Sequence, residues 1–314
     1  MKKTASLFVC SGLVAALAST APAALLIYEP FDYAPAGTAI AGLTNTYSPG
    51  NPIWNSAGTP TSPVHQITSP GLTAPSGFPA AIGNAGDMRK TDLTEYNRLD
   101  LPSQYGPGST LYYSLLVNVP DIAGLATPNT NANANNDVFI AFNNNTGASG
   151  SRPSIWAGAV TIRQGSAAGT FNLGVRSSTT AGGTTYWSSD LNPAETLLVV
   201  VRYESGPTAG DGLGLSSLWI NPSSATFGAA VPPAPDGTTA GSMNLNGSLD
   251  HVDSLIIGAG ISNTATLGNP NQTFIDEIRV GTTWANVTIP EPASLGLLLV
   301  ASAAMCCGVR FARQ

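Results

Sequence analysis

From about residue 25 to residue 288, the apolar residues of this chain come in short bursts, and several of the bursts alternate. Leu111, Tyr113, Leu115, Val117 and Val119 are all apolar, while Ser114 and Asn118 fall between them. Successive side chains of a strand point to opposite faces, so one face of this segment is core. Phe171, Leu173 and Val175 alternate in the same way with Asn172, Gly174 and Arg176. The run at 197–203 is more continuously apolar, which predicts a central strand covered on both sides. Further bursts predict strands at 25–31, 96–101, 138–142, 155–162, 215–220, 252–258 and 273–280. No amphipathic helix of ten or more residues is legible in this body.

Turn-forming strings separate the bursts: Pro49-Gly50-Asn51-Pro52, the Asn-rich 129–136, Ala181-Gly182-Gly183 and 231–237. None is long enough to be a domain linker, so residues 24–288 are read as one domain. About a dozen short strands with no helices between them predict an all-β fold, two stacked antiparallel sheets in a jelly-roll sandwich.

The two ends break the pattern. Met1-Lys2-Lys3 is basic, an apolar stretch follows from Leu7 to Ala18, and Ala21-Pro22-Ala23 offers a cleavage site. Residues 1–23 are therefore expected to be a signal peptide, the alternative being a packed N-terminal helix. At the other end, residues 289–314 open with Ile289-Pro290-Glu291-Pro292, continue uncharged over 293–309, and finish with Arg310 and Arg313. A membrane-spanning helix wants about 20 apolar residues. This stretch is slightly shorter, and its basic end is placed as for a segment stopped on the cytoplasmic side. The order of Pro290, Glu291, Pro292, transmembrane helix and arginines resembles the PEP-CTERM sorting signal of bacterial exported proteins. That resemblance implies an exosortase-type membrane protease as partner and a transient hold in the inner membrane. Release to the cell surface or beyond follows. It implies an address and no activity.

Cys10, Cys306 and Cys307 all lie in these terminal segments, which leaves the body without a disulfide framework or thiolate metal site. Without Lys2, Lys3, Arg310, Arg313 and Glu291, the chain's 12 basic and 18 acidic residues become 8 and 17. So acidic a body, with no basic cluster, excludes nucleic acid and anionic lipid as expected partners.

Two segments carry a second resemblance. Tyr28-Glu29-Pro30-Phe31-Asp32-Tyr33 with Trp54 near the start, and Phe274-Ile275-Asp276-Glu277-Ile278-Arg279-Val280 with Trp284 near the end, are similar to the first and last strands of concanavalin A-like (laminin G-like) domains. The resemblance implies that these strands lie side by side. It also brings extracellular carbohydrate into view.

Asp276 is the first candidate for chemistry. Strict alternation places Phe274, Asp276, Ile278 and Val280 on the core face, with Glu277 and Arg279 as a surface pair of little energetic value. A core aspartate needs donors or a cation. It is read as an anchor for the closing strand, with a calcium contact as the alternative. Calcium wants several oxygen ligands, and only this one is named. Asp137 and Asp211 are expected to be turn residues. Trp156, Tyr186 and Trp187 are candidate ligand-binding aromatics, against the plainer role of core or sheet-covering rings. Trp219 and Trp284 read as core.

Catalysis finds little support in the sequence. No Glu-x-Asp-x-x-Glu string places acids along one cleft-facing strand, and Glu29 and Asp32 alternate to opposite faces. His65 and His251 are the only histidines, and there is no Gly-x-Ser-x-Gly. The expected function is therefore a non-catalytic exported protein, glycan-binding or structural in an extracellular matrix, with no cofactor. The alternative is a divergent polysaccharide hydrolase, which acids brought together from different strands would favour.

Overall fold

The computed structural model describes residues 25–289 apart from 59–64, 89–94, 124, 126, 129–136, 151–154, 178–184, 194, 242–249 and 259–271. The signal-peptide segment, the tail from Pro290 to Arg313 and the Asn-rich string lie outside the described residues. Among the described residues no helix is long and apolar enough to cross a membrane.

The apolar bursts become strands. They begin with β1 (Leu25–Glu29), β2 (Asn55–Ser56), β3 (Gln66–Thr68), β4 (Ala85–Asp87) and β5 (Tyr96–Tyr105). Next come β6 (Thr110–Asp121), β7 (Asp137–Asn143), β8 (Trp156–Gln164), β9 (Phe171–Arg176) and β10 (Tyr186–Trp187). The last are β11 (Thr196–Glu204), β12 (Leu215–Ile220), β13 (Gly237–Ala240), β14 (Val252–Gly258) and β15 (Gln272–Gly281). The first sheet runs β13-β12-β11-β6-β15-β4-β3, with β1 also on β15; the second runs β10-β9-β8-β7-β14-β5-β2. Every ladder between these strands is antiparallel. The first and last strands do pair, Tyr28 opposite Arg279 and Glu29 opposite Ile278.

The two sheets enclose one apolar interior, with Leu115, Val117, Val199 and Val201 facing Leu99, Phe142, Val160, Leu173 and Leu255. Each such side chain contributes about 1.5–3 kcal/mol by leaving water. Tyr113 ties the layers together: its hydroxyl donates to the Gly158 carbonyl at 2.5 Å, and its ring meets Phe142 edge-on at 5.1 Å. Gly158 has φ +54° and would place a Cβ 3.2 Å from Tyr203, so this crossing wants glycine.

A second apolar layer covers the outward face of the first sheet. Tyr112, Leu116, Leu198, Val200 and Trp219 pack there with Phe78, Trp284 and Val287. Trp219 and Trp284 are thus buried as expected, though outside the sandwich interior. A short helix absent from the sequence expectation, α1 (Trp284–Thr288), supplies part of this layer. Thr283 caps it by accepting from the Asn286 N–H, and Asn286 in turn accepts from the Thr283 N–H. One and a half turns cannot stand alone in water. Tertiary bonds hold it, from Ser114 Oγ to the Val287 carbonyl at 2.6 Å and from Trp284 Nε1 to the Thr226 carbonyl at 2.8 Å.

Strand β15 corrects the expected face assignment. Ile275, Ile278 and Val280 are in the interior, whereas Asp276 lies opposite Leu116 on the outward side. The ladder to β6 slips between Asp276 and Arg279, and Glu277 stands at φ +51°. That bulge resets the period of two, and it falls where the flanking partner changes from β4 to β1. Glu277 and Arg279 are not a surface pair either. Their side chains are 0% and 4% exposed, with Arg279 Nη2 donating to Glu277 Oε2 at 3.0 Å.

Candidate functional site

With the first sheet covered, the outward face of the second sheet is where side chains converge. Register decides which ones. Opposite residues of an antiparallel pair share a face, so Arg163 joins Asn172, Thr161 joins Gly174, and Ala159 joins Arg176 across β8 and β9. Trp187 lies opposite Gly174 from β10, and Trp156 lies opposite Asn143 from β7. Across β14 the same face continues with Ser254 opposite Asp100 and Ile256 opposite Arg98. Tyr96, Val138, Ala141, Trp156, Ala159 and Ile256 make its apolar floor.

Arginine stacking on tryptophan dominates one half. The Arg176 guanidinium carbon sits 5.1 Å from the Trp156 ring centre, and that of Arg163 sits 4.2 Å from the Trp187 ring centre. Arg163 Nε donates to Asn172 Oδ1 at 3.2 Å, and Asn172 Nδ2 donates to Asp190 at 2.9 Å. Asp190 also accepts from the Ser166 and Ala167 N–H groups, and these bonds hold its carboxyl well below the usual range. Burial lowers the pKa of Arg163, an effect the Asp190 charge opposes. Arg176 is lowered by burial with nothing to oppose it.

The other half holds Arg98 and Asp100. Arg98 Nη1 donates to the Gly147 carbonyl at 2.8 Å, and Asp100 accepts the Gly147 N–H at 2.9 Å. Burial pushes the Asp100 carboxyl up; the Gly147 N–H and the Arg98 charge pull it down, and the Asp253 charge pushes it further up. Asp253 lies 3.1 Å from His251 Nε2. Sequence reasoning passed over this trio. His251-x-Asp253 was the available signal, but pairing with Asp100 depends on the β5–β14 register.

Four buried polar atoms on this face have no hydrogen-bond partner: Arg98 Nε, Arg176 Nε, Trp187 Nε1 and Thr161 Oγ1. Three are pure donors, and the fourth is able to donate.

The three aromatic candidates divide. Trp156 and Trp187 share the outward face. Tyr186 turns the other way, opposite Val175, and packs at the rim of the interior, its ring filling the space over Gly237 of the first sheet. The structure therefore sets Tyr186 apart from the face that carries Trp156 and Trp187.

Asp276 belongs to a separate acidic knot. Its Oδ2 accepts the Leu72 N–H at 2.9 Å, and its Oδ1 accepts its neighbour's N–H at 2.7 Å. Glu277 accepts from Tyr28 and from the Ile82 N–H. Glu29 accepts the Phe31 N–H, the Tyr33 hydroxyl and Trp54 Nε1, each at 2.7 Å. Burial raises Glu29 to about 7 and Asp276 to about 8, with hydrogen bonds opposing. Acids from β1 and β15 do meet here, but protein donors occupy their oxygens and all three are fully buried. Gly71 seals the spot, since a Cβ there would lie 2.9 Å from Asp276. The knot pins loops to the closing strands. Asp211 is a turn residue, accepting the Thr208 and Leu213 N–H groups. Among the described residues no three His, Cys, Asp or Glu side chains are grouped to hold a metal ion.

No protein-family model matches the chain, and no curated protein matches it. Solved structures similar to it include the alginate lyase Aly36B in complex with alginate trisaccharide. It is 14% identical, with a TM-score of 0.43 over 81% of this chain and 98% of that one. The globular domain of T. cruzi calreticulin is 10% identical, with a TM-score of 0.41 over 82% of this chain and 88% of that one. A botulinum neurotoxin type C structure, concerned with interaction with two ganglioside molecules, is 11% identical, with a TM-score of 0.40 over 79% of this chain and 48% of that one. Alginate lyases stand among these structures, where the sequence reading expected a non-catalytic protein.

Proposed function

We propose that this chain is an exported polysaccharide-degrading protein that holds its substrate on the outward face of the second sheet. The observation that carries the reading is the set of unmet donors on that face: Arg98, Arg176, Trp187 and Thr161. A buried donor without a partner costs about 1–3 kcal/mol. Gathering four on one face is paid for when an acceptor-rich ligand fills them. Sugar oxygens are such acceptors, and Trp187 offers an apolar ring beside them.

Bond cleavage needs a group that gives or takes a proton near the substrate. Asp100, on the substrate face, is the candidate, and Asp253 and His251 adjoin it. The two glutamates and the aspartate of the buried knot are assigned to anchoring. The terminal segments support export: residues 1–23 direct translocation, and Pro290-Glu291-Pro292 with Arg310 and Arg313 directs exosortase-type sorting from the inner membrane.

Purified protein incubated with a panel of polysaccharides should release reducing ends or an unsaturated, ultraviolet-absorbing product. Asp100→Asn should lower that turnover by about a hundredfold or more while the protein stays folded. Polymer binding without any cleavage, across the panel, would overturn the reading.

A further inference from the structure

Arg176 singles itself out on this face. The residue is 6% exposed, yet no described carboxylate pairs with it. Arg98 has Asp100 nearby and Arg163 has Asp190; Arg279, on the other sheet, has Glu277. Arg176 has the Trp156 ring and an Nε with no acceptor. An unpaired buried cation is strongly unfavourable unless something supplies the counter-charge. Thr161 Oγ1, also unmet, stands diagonally across the β8–β9 ladder from Arg176, a neighbour spacing of about 7–8 Å. A planar anionic group fits a guanidinium fork of this kind, and the buried Trp156 ring backs the guanidinium from behind.

We infer that Arg176, held against Trp156 and with Thr161 beside it, forms a subsite for the anionic group of an acidic sugar, so that the substrate is a charged rather than a neutral polysaccharide. The inference rests on the polysaccharide reading above and narrows its substrate class. The anion is the carboxylate of a uronic acid or a sulfate ester, which present the same chemistry to the fork. Long-range attraction does not contribute, because the chain carries a net charge of -6. Selection is local.

Binding of the purified protein to polygalacturonate, dextran sulfate and neutral dextran provides the test, read by affinity electrophoresis and by ligand-induced shift in Tm. At least one anionic polymer should bind tenfold or more tightly than dextran, and the stronger of the two names the anion. Arg176→Met should abolish that preference without lowering the unliganded Tm, because it removes an unpaired buried charge. Arg176→Lys should restore part of the preference. Equal binding of neutral and charged polymers, or an unchanged preference in Arg176→Met, would overturn the acidic-sugar inference while leaving the polysaccharide reading in place. Failure to bind any polymer would overturn both. A large fall in Tm for Arg176→Met with no polymer effect in Arg176→Lys would make the arginine structural and the inference wrong.

Discussion

At the scale of single residues, the acids of the buried knot set an unusual pH response. Glu29 rises from 4.5 to about 7 and Asp276 from 3.8 to about 8 in the folded protein. The folded state therefore binds more protons than the unfolded chain between these limits, and stability falls as pH climbs through the window. Their contribution is fully present below about pH 4 and is lost by about pH 8. Urea midpoints should decline from pH 4.5 to pH 8, and Asp276→Asn should flatten the decline because the amide cannot ionise. Asp276→Ala should cost about 1–3 kcal/mol at mildly acidic pH, leaving the Leu72 N–H unmet. The adjacent rings of β10 should respond differently. Tyr186→Ala should lower Tm, because its ring bridges to Gly237 at the sandwich rim; Trp187→Ala should weaken polymer binding with little change in Tm.

Strand β15 shows how a single element is closed by its irregularity. The bulge at Glu277 lets Ile275, Ile278 and Val280 all reach the interior while Asp276 and Arg279 face outward under the loops. Arg279 has Glu277 as its counter-charge, donates Nη1 to the Ile289 carbonyl at 2.8 Å, and lies 4.8 Å from the Tyr28 ring. Removing one partner of a buried pair leaves the other uncompensated. Glu277→Gln should therefore destabilise the protein by about 3–5 kcal/mol, measured by chemical unfolding. Restoring most of that loss by a second change, Arg279→Met, would confirm that the uncompensated charge is the cause. No rescue would show that the bulge itself needs glutamate.

Across the whole molecule, the sheets have unequal outer faces. One is closed by α1 and the loop around Phe78; the other collects arginines, tryptophans and unmet donors. An all-β circular dichroism spectrum with a minimal helical contribution is expected of the body, and its folding should be indifferent to oxidant because the cysteines lie in the terminal segments.

Much of this architecture was legible without coordinates. Alternation and apolar runs located the long strands, with 215–220 and 252–258 matching β12 and β14 end to end. Two- to four-residue strands such as β2, β4 and β10 escaped, since so few residues show no period. The helix α1 escaped for a related reason: its stability comes from Trp284 on the sheet, not from its own sequence. Candidate aromatics could be named from composition, but not sorted.

The linear chain determines periodicity, composition and charge, because each depends only on neighbours in sequence. It therefore determined an all-β body, cysteine-free and acidic, between two segments of different composition. Register, bulges and burial depend on which distant strands meet. Only the tertiary structure could place Trp187 outward and Tyr186 inward, move Asp276 off the interior face, and leave Arg176 buried beside Trp156 without a counter-charge. A one-residue slip in a strand exchanges its faces, so no local pattern settles which side chains share a site.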